Sequence, residues 1–148
     1  MIIRTMLPSD QDRAVEIWLN ANLQAHDFID PRYWRSHLEE VKAQLPQAEV
    51  YVCQGQAGLE GFIGLKGHFI AGIFVWPSSQ GQGVGKALLD RAKQAHDRLR
   101  LWVYRKNKRA VAFYRREGFA IRRESADADT GEAEYQMEWT RKAEREEP

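Results

Sequence analysis

The chain has 148 residues, 43% hydrophobic and 11% aromatic, with a formal net charge of +1. That is enough apolar material for one proper core and too little length for two comfortable domains. Near-neutral charge argues against a protein held to nucleic acid by its overall field. One cysteine excludes a disulfide framework, and no apolar run approaches a membrane span. The opening "MIIRTMLPSDQDRA" lacks the basic-then-apolar order of a secretory signal, which points to the cytoplasm.

"MIIRTM" reads as a short opening strand, after which Ser9 or Asp10 caps a helix with Ala14, Ile17, Trp18 and Ala21 on one face. Asp30 and Pro31 restart a second helix through "RYWRSHLEEVKAQL", stopped by Pro46. "EVYVCQ" and "GLEGFIGLKG" form a hairpin about the turn "GQAG". "FIAGIFVW" is a mostly apolar strand ended by Pro77; beyond a glycine-rich loop, a helix carries Val84, Leu88, Ala92 and Ala95 at helical spacing. "LRLWVY" alternates as the next strand, and a helix from Asn107 to Glu117 ends at Gly118. "FAIRRES" and "EAEYQMEW" close the sheet as a hairpin around "DADTG". With no internal repeat and no domain-scale linker, residues 1–140 are expected to form a single domain and residues 141–148 a flexible tail.

The loop "QGQGVGKALL" carries the chemistry. Gly81, Gly83 and Gly85 stand before an apolar helix, where outward-turned N–H groups and the partial positive charge of the helix start favour a phosphate. A nucleoside-triphosphate loop is excluded, because Gly85-Lys86 is followed by Ala87 and Gln80 stands where its first glycine belongs. A dinucleotide fingerprint is excluded too, because Lys86 occupies the place of its third glycine. What remains is a strand, Pro77, Gln80-x-x-Gly83-x-Gly85 and a helix, which resembles the acyl-CoA pyrophosphate loop of the GNAT superfamily of acetyl-CoA-dependent N-acetyltransferases. "NKRAVAFYRREGF", with Asn107, Ala110, Phe113-Tyr114 and Gly118-Phe119, resembles that family's second signature and follows in the family order. The likeness runs over residues 1–139, and "AHDFIDPRYWR" is similar to the small bacterial YiaC/YjaB-type members.

The resemblance implies an α/β (α+β) fold: a mixed, twisted central sheet flanked by helices, whose splayed fourth and fifth strands leave a slot for pantetheine. It places Ile73, Phe74 and Val75 against the pantetheine arm and acetyl carbonyl, and the backbone of Gln80, Gly81, Gln82, Gly83, Val84, Gly85 and Lys86 around the pyrophosphate. Gly72 would mark the bulge that opens the slot. Tyr114 takes the place of the general acid beside the departing sulfur, and Asn107 orients the pantetheine amide or acetyl end while capping its helix. Phe28, on the acceptor side, and Phe69, opening the fourth strand, are the candidate acceptor contacts.

The amine's proton has no obvious taker. Many members carry a Glu in or near the fourth strand, but here Phe69, Ile70, Ala71, Gly72 and Ile73 offer nothing ionisable. His68 and His26 remain, acting directly or through water at an ordinary His pKa, with His26 favoured by its acceptor-side position. Cys53 reads as buried packing, and no Cys/His cluster has metal spacing, so no metal is expected.

Two rival functions stand beside acetyl transfer. Ten Lys or Arg within residues 98–123, interleaved with Trp102, Tyr104, Phe113 and Tyr114, suit a nucleic-acid surface, and a slot without transfer suits an acyl-CoA sensor. Tyr114 weighs for the enzyme, with no nucleic-acid or membrane partner expected and monomer and homodimer both open. At pH 7 freeing a lysine lone pair costs about 4.6 kcal/mol, against about 1–1.4 for an α-amine. Energetics therefore favours an N-terminal or small-metabolite amine, while the resemblance leans to protein or peptide lysine, which leads narrowly.

Overall fold

Alternating strand and helix patterns become a seven-stranded sheet in the computed structural model, which describes residues 1–142. In chain order the elements are β1 (Ile2–Thr5), α1 (Gln11–Ala25), α2 (Pro31–Ser36), α3 (Leu38–Gln44), β2 (Glu49–Gly55), β3 (Gly58–Lys66) and β4 (Phe69–Val75). Then follow α4 (Val84–Ala95), β5 (Arg98–Tyr104), α5 (Lys108–Arg116), β6 (Ala120–Ala126) and β7 (Ala133–Thr140). The strand order is β1-β2-β3-β4-β5-β7-β6, antiparallel except at β4 and β5. Among the described residues no helix is long and apolar enough to cross a membrane.

Period-two alternation decides which side chains enter the core. Along β5, Leu99, Leu101 and Val103 are buried, and they meet Leu88, Leu89 and Ala92 of α4 together with Met137 and Trp139 of β7. On the opposite face, Ala14 and Ile17 of α1 pack over Val50, Val52 and Phe62. Cys53 is fully buried in the first of these clusters.

Three local expectations are revised. The second helix breaks at His37, because the Ser36 hydroxyl donates to the Tyr33 carbonyl at 2.7 Å and His37 Nδ1 meets the same oxygen at 2.6 Å. Those side chains replace a backbone partner and end the turn. Asp10 does not cap α1 with its side chain. Its carboxylate accepts from the Arg4 guanidinium at 2.7 and 3.1 Å and from the Leu7 N–H at 2.8 Å, tying β1 to the start of α1. Arg141, assigned to a tail, donates from its backbone N–H to the Asp97 carbonyl at 2.8 Å and from its guanidinium to Asp97 and to the carbonyls of Lys93 and His96. The rest of that tail, residues 143–148, lies outside the described residues.

The splay expected of β4 and β5 is present. Their only ladder pair is Phe69 with Arg100, supported by the Arg100 N–H donating to the His68 carbonyl at 3.0 Å. Beyond it the strands part. The neighbouring register passes from Gly64 opposite Gly72 to Leu65 opposite Ile70, so the extra residue of the bulge is Ala71, beside Gly72. Gly72 itself answers a question of space: a Cβ there would stand 2.2 Å from Cζ of Phe74, whose ring packs on Phe62 at 5.0 Å.

Candidate active site

Where β4 and β5 separate, a cavity of about 760 Å³ opens between the end of α1, the outer half of β4, the glycine loop and α5. Ile73, Phe74 and Val75 line it from β4, and Gln80, Gly81, Gly83, Val84, Gly85 and Lys86 from the loop and first turn of α4. Gln82 is exposed and outside the lining. Gly81 and Gly83 have φ of +78° and +83°, a region that side chains with a Cβ rarely adopt. Gly83 is the N-cap of α4 and provides no side-chain cap, so the first N–H groups of that helix stay available to an anion. Gly85 is different: a Cβ there would make ordinary contacts with Phe113 at 3.7 Å and Val75 at 3.9 Å.

Polar side chains bridge the mouth of this cavity. Gln80 donates from Nε2 to Oε1 of Gln24 at 2.7 Å and accepts from the Arg109 guanidinium at 3.1 Å, linking α1 to α5. Lys86 pairs with Glu117 at 3.0 Å. Gln24, Arg109 and Glu117 escaped the sequence reading; only the basic run hinted at Arg109, and nothing in its spacing singled that residue out.

Tyr114 lies in the cavity wall, 7% exposed, with Phe113 and Phe119 against its ring. Its hydroxyl has no hydrogen-bond partner among the described residues. Burial pushes the phenol well above its ordinary value, so it stays protonated at any working pH.

Asn107 caps α5, its Oδ1 accepting from the Ala110 N–H at 3.3 Å. Its amide nitrogen faces Nε2 of His26 at 3.2 Å. His26 ends α1, stacked on Trp34 with centroids 5.1 Å apart and meeting Phe28 and Tyr104 edge-on at 5.7 and 5.2 Å. Burial lowers its pKa to about 4, and its Nδ1 is buried without a hydrogen-bond partner. The ordinary His pKa expected of a proton relay is therefore corrected: the ring is neutral at pH 7 because its apolar surroundings disfavour the imidazolium.

The other expected acceptor residues are dispersed. His68 and Phe69 sit at the closed end of the splay, outside the cavity lining, with Nε2 of His68 3.1 Å from the Arg98 guanidinium. Desolvation, then Arg98 and Arg100, lower the His68 pKa. Phe28 also lies outside the lining, behind His26, with the Lys106 ammonium 5.5 Å above its ring. Beside it the Tyr104 hydroxyl donates to Asp127, and Tyr33 donates to Asp129 at 3.4 Å. Desolvation, then Asp127 and Asp129, push Tyr33 up to about 12.

A parallel pair joined only at its base, a left-handed glycine loop feeding a helix and a phenol in the wall make a slot whose shape and open helix start suit an anion-bearing ligand. The Acetyltransferase (GNAT) domain family matches residues 46–121. The chain is 37% identical over 122 residues to the peptidyl-lysine N-acetyltransferase YiaC of Escherichia coli K12, covering 81% of this chain and 84% of that protein. It is 31% identical over 131 residues to the peptidyl-lysine N-acetyltransferase YjaB of the same organism, covering 87% and 88%. Apo-form YjaB from Escherichia coli has the same fold, with a TM-score of 0.82 at 26% identity over 94% of this chain and 98% of that one. PaiA N-acetyltransferase from Thermoplasma acidophilum, solved in complex with coenzyme A, gives 0.78 at 20% identity over the same shares. The chain belongs to the GNAT family and is an N-acetyltransferase.

Proposed function

We propose that the enzyme transfers acetyl from acetyl-CoA to a primary amine by direct attack in a ternary complex, with an exposed lysine of a protein or peptide as acceptor. The observation that carries the chemistry is Tyr114, a buried residue in the cavity wall whose hydroxyl has no hydrogen-bond partner among the described residues. The lining fits the donor. Past Phe69 the β5-facing edge of β4 has no ladder partner, so Ile73 and Val75, whose backbone groups alternate away from β3, offer them to pantetheine amides, although the Val75 carbonyl already accepts from Gln80 at 3.2 Å; the Phe74 backbone is turned to β3. Gly81, Gly83 and the open N-terminus of α4 suit a diphosphate, with Lys86 and Arg109 supplying positive charge.

In the transfer step the amine lone pair forms a bond to the thioester carbonyl carbon and the carbon–sulfur bond breaks. The electron pair leaves on sulfur, which takes the Tyr114 proton. His26 Nε2 is engaged by the Asn107 carboxamide nitrogen at 3.2 Å, so we assign the amine's surplus proton to water. Lysine is supported by YiaC and YjaB, both named as peptidyl-lysine N-acetyltransferases. A cytoplasmic setting belongs to the same proposal and rests on a lone, free, buried cysteine.

The test is a panel of a lysine peptide, its counterpart whose only amine is N-terminal, and small amines, each incubated with acetyl-CoA and read by mass spectrometry. Acetyl on the lysine side chain is expected, at a rate that rises about tenfold per pH unit below the amine's own pKa. Transfer only to N-terminal amines, or to one small amine, overturns the lysine assignment. Tight acetyl-CoA binding with no transfer to any amine would instead mark a sensor.

A further inference from the structure

We infer that His26 is a positioning residue: as a neutral imidazole protonated on Nδ1, it uses its Nε2 lone pair to fix the Asn107 carboxamide, leaving the second N–H of that amide for the acyl donor. The inference rests on reading this cavity as the donor slot. A carboxamide turns easily about its last bond and can present either end. Two contacts remove that freedom: Oδ1 of Asn107 accepts from the Ala110 N–H at 3.3 Å, and Nδ2 therefore faces Nε2 of His26 at 3.2 Å. With a donor on the Asn107 side, Nε2 must accept, and the ring proton belongs on Nδ1. An imidazolium would set N–H against N–H.

The ring is held as firmly as the amide. Trp34 stacks on it, Phe28 and Tyr104 close its edges, the His26 N–H donates to the Asn22 carbonyl at 3.0 Å and the His26 carbonyl accepts from the Ile29 N–H at 3.1 Å. Tyr104 of β5 meets the ring edge-on with its hydroxyl engaged by Asp127, and Lys106 lies over Phe28. Burial therefore sets the neutral state that the contact requires. His26 and Asn107 both line the cavity that holds Tyr114, so a turned amide would change how the donor lies against the proton donor.

Two variants of the full chain separate positioning from proton transfer. His26→Leu removes the acceptor and keeps apolar bulk; His26→Gln places Oε1 near the position of Nε2 and cannot titrate. The expected result is about a tenfold loss of kcat/KM for acetyl-CoA in His26→Leu, with most of it recovered in His26→Gln. Both variants should keep a pH–rate profile parallel to that of the parent. In an Asn107→Asp background, which keeps the cap and removes the N–H, His26→Leu should cost less than a further twofold. Equal losses in both variants, with the pH rise abolished, would make His26 the base and overturn the inference. So would unchanged kinetics accompanied only by a lower melting temperature, which would reduce the contact to packing. Imidazole nitrogen NMR provides a readout free of activity: the Nδ1–H tautomer is expected at pH 7, and an Nε2–H tautomer overturns the inference even if acetyl transfer is never found. A parent enzyme without transfer but with the Nδ1–H tautomer would instead sink the functional reading and leave the contact standing.

Discussion

On the donor side of the slot, the left-handed Gly81 and Gly83, the bulge at Ala71 and the cap at Asn107 shape the wall with backbone. On the side proposed for the acceptor, His26 lines the cavity, and Phe28, Trp34 and Tyr104 pack behind it from the turn after α1, α2 and the tip of β5. The first kind of wall is local in sequence, and each device has its own residue requirement. The second is collective: the state of His26 depends on rings that its neighbours in sequence do not supply. Tyr114 lies in the cavity wall these parts share, and changes there should be felt most.

Tyr114→Phe is expected to lower kcat by about 10²–10⁴-fold while leaving acetyl-CoA affinity intact, since only the proton to the leaving sulfur is lost. Titration calorimetry and single-turnover kinetics check the two halves separately. An unchanged chemical rate would remove Tyr114 from the acid role and leave the donor wall as a binding surface alone.

The collective wall should show itself in stability against pH. His26 has a pKa of about 4 in the folded chain against a reference of 6.5, so between those values the unfolded chain binds the additional proton. Stability therefore rises with pH through this window: the contribution is complete above about pH 6.5, falls as pH drops towards 4 and is flat below. Its ceiling is about 3 kcal/mol. Urea unfolding at pH 7 and pH 4.5 should show the parent losing about 2 kcal/mol more than His26→Gln over that interval. Equal losses would mean that the ring is as well solvated folded as unfolded.

The local wall should break by conformation. Apart from its chain neighbours, no atom of the described residues lies within 4 Å of a Cβ built on Gly83, so the cost of Gly83→Val is not a packing clash but a β-branched residue at a φ of +83°. Such strain is worth about 1–3 kcal/mol, or about five- to 150-fold weaker acetyl-CoA binding if the loop relaxes out of its cradle. Calorimetry on the folded variant decides it; affinity equal to the parent's would detach the loop from donor binding.

These two kinds of wall also explain what the sequence disclosed. Gly81 and Gly83 before an apolar helix, and Asn107, Ala110 and Tyr114 through their resemblance to a family signature, are short-range patterns legible without coordinates. So are the alternating strands, which placed all seven in the right order along the chain. The break at His37 was hidden because Ser36 and His37 are ordinary helix residues until their side chains find the Tyr33 carbonyl. The pKa of His26 was hidden for a deeper reason: no sequence pattern announces that Trp34 and Tyr104 will enclose an imidazole from another segment. His68, adjacent to the expected strand, stood as the second candidate after His26, yet the parallel pair Phe69–Arg100 leaves it at the end of the splay that never opens.

The smallest effect tests how independent the acceptor side is. Tyr104 closes one edge of His26 and donates its hydroxyl to Asp127, in the turn between β6 and β7, but it lies outside the cavity lining. Tyr104→Phe keeps the ring contact and deletes only the hydrogen bond, leaving Asp127 the Asp129 N–H at 2.9 Å. A charge-assisted bond of this kind at a partly exposed carboxylate should be worth about 1 kcal/mol, seen as a modest drop in melting temperature. The His26 tautomer should be unchanged, because its edge contact with the ring remains, and acetyl-CoA affinity should stay within about twofold, the same allowance made for an unperturbed pair. A rise in the KM of a lysine peptide at constant acetyl-CoA affinity would place the β6–β7 turn in the acceptor's path. A loss of acetyl-CoA affinity would show instead that the two walls are coupled through His26 and Asn107, and that the acceptor side tunes the donor side through a single carboxamide.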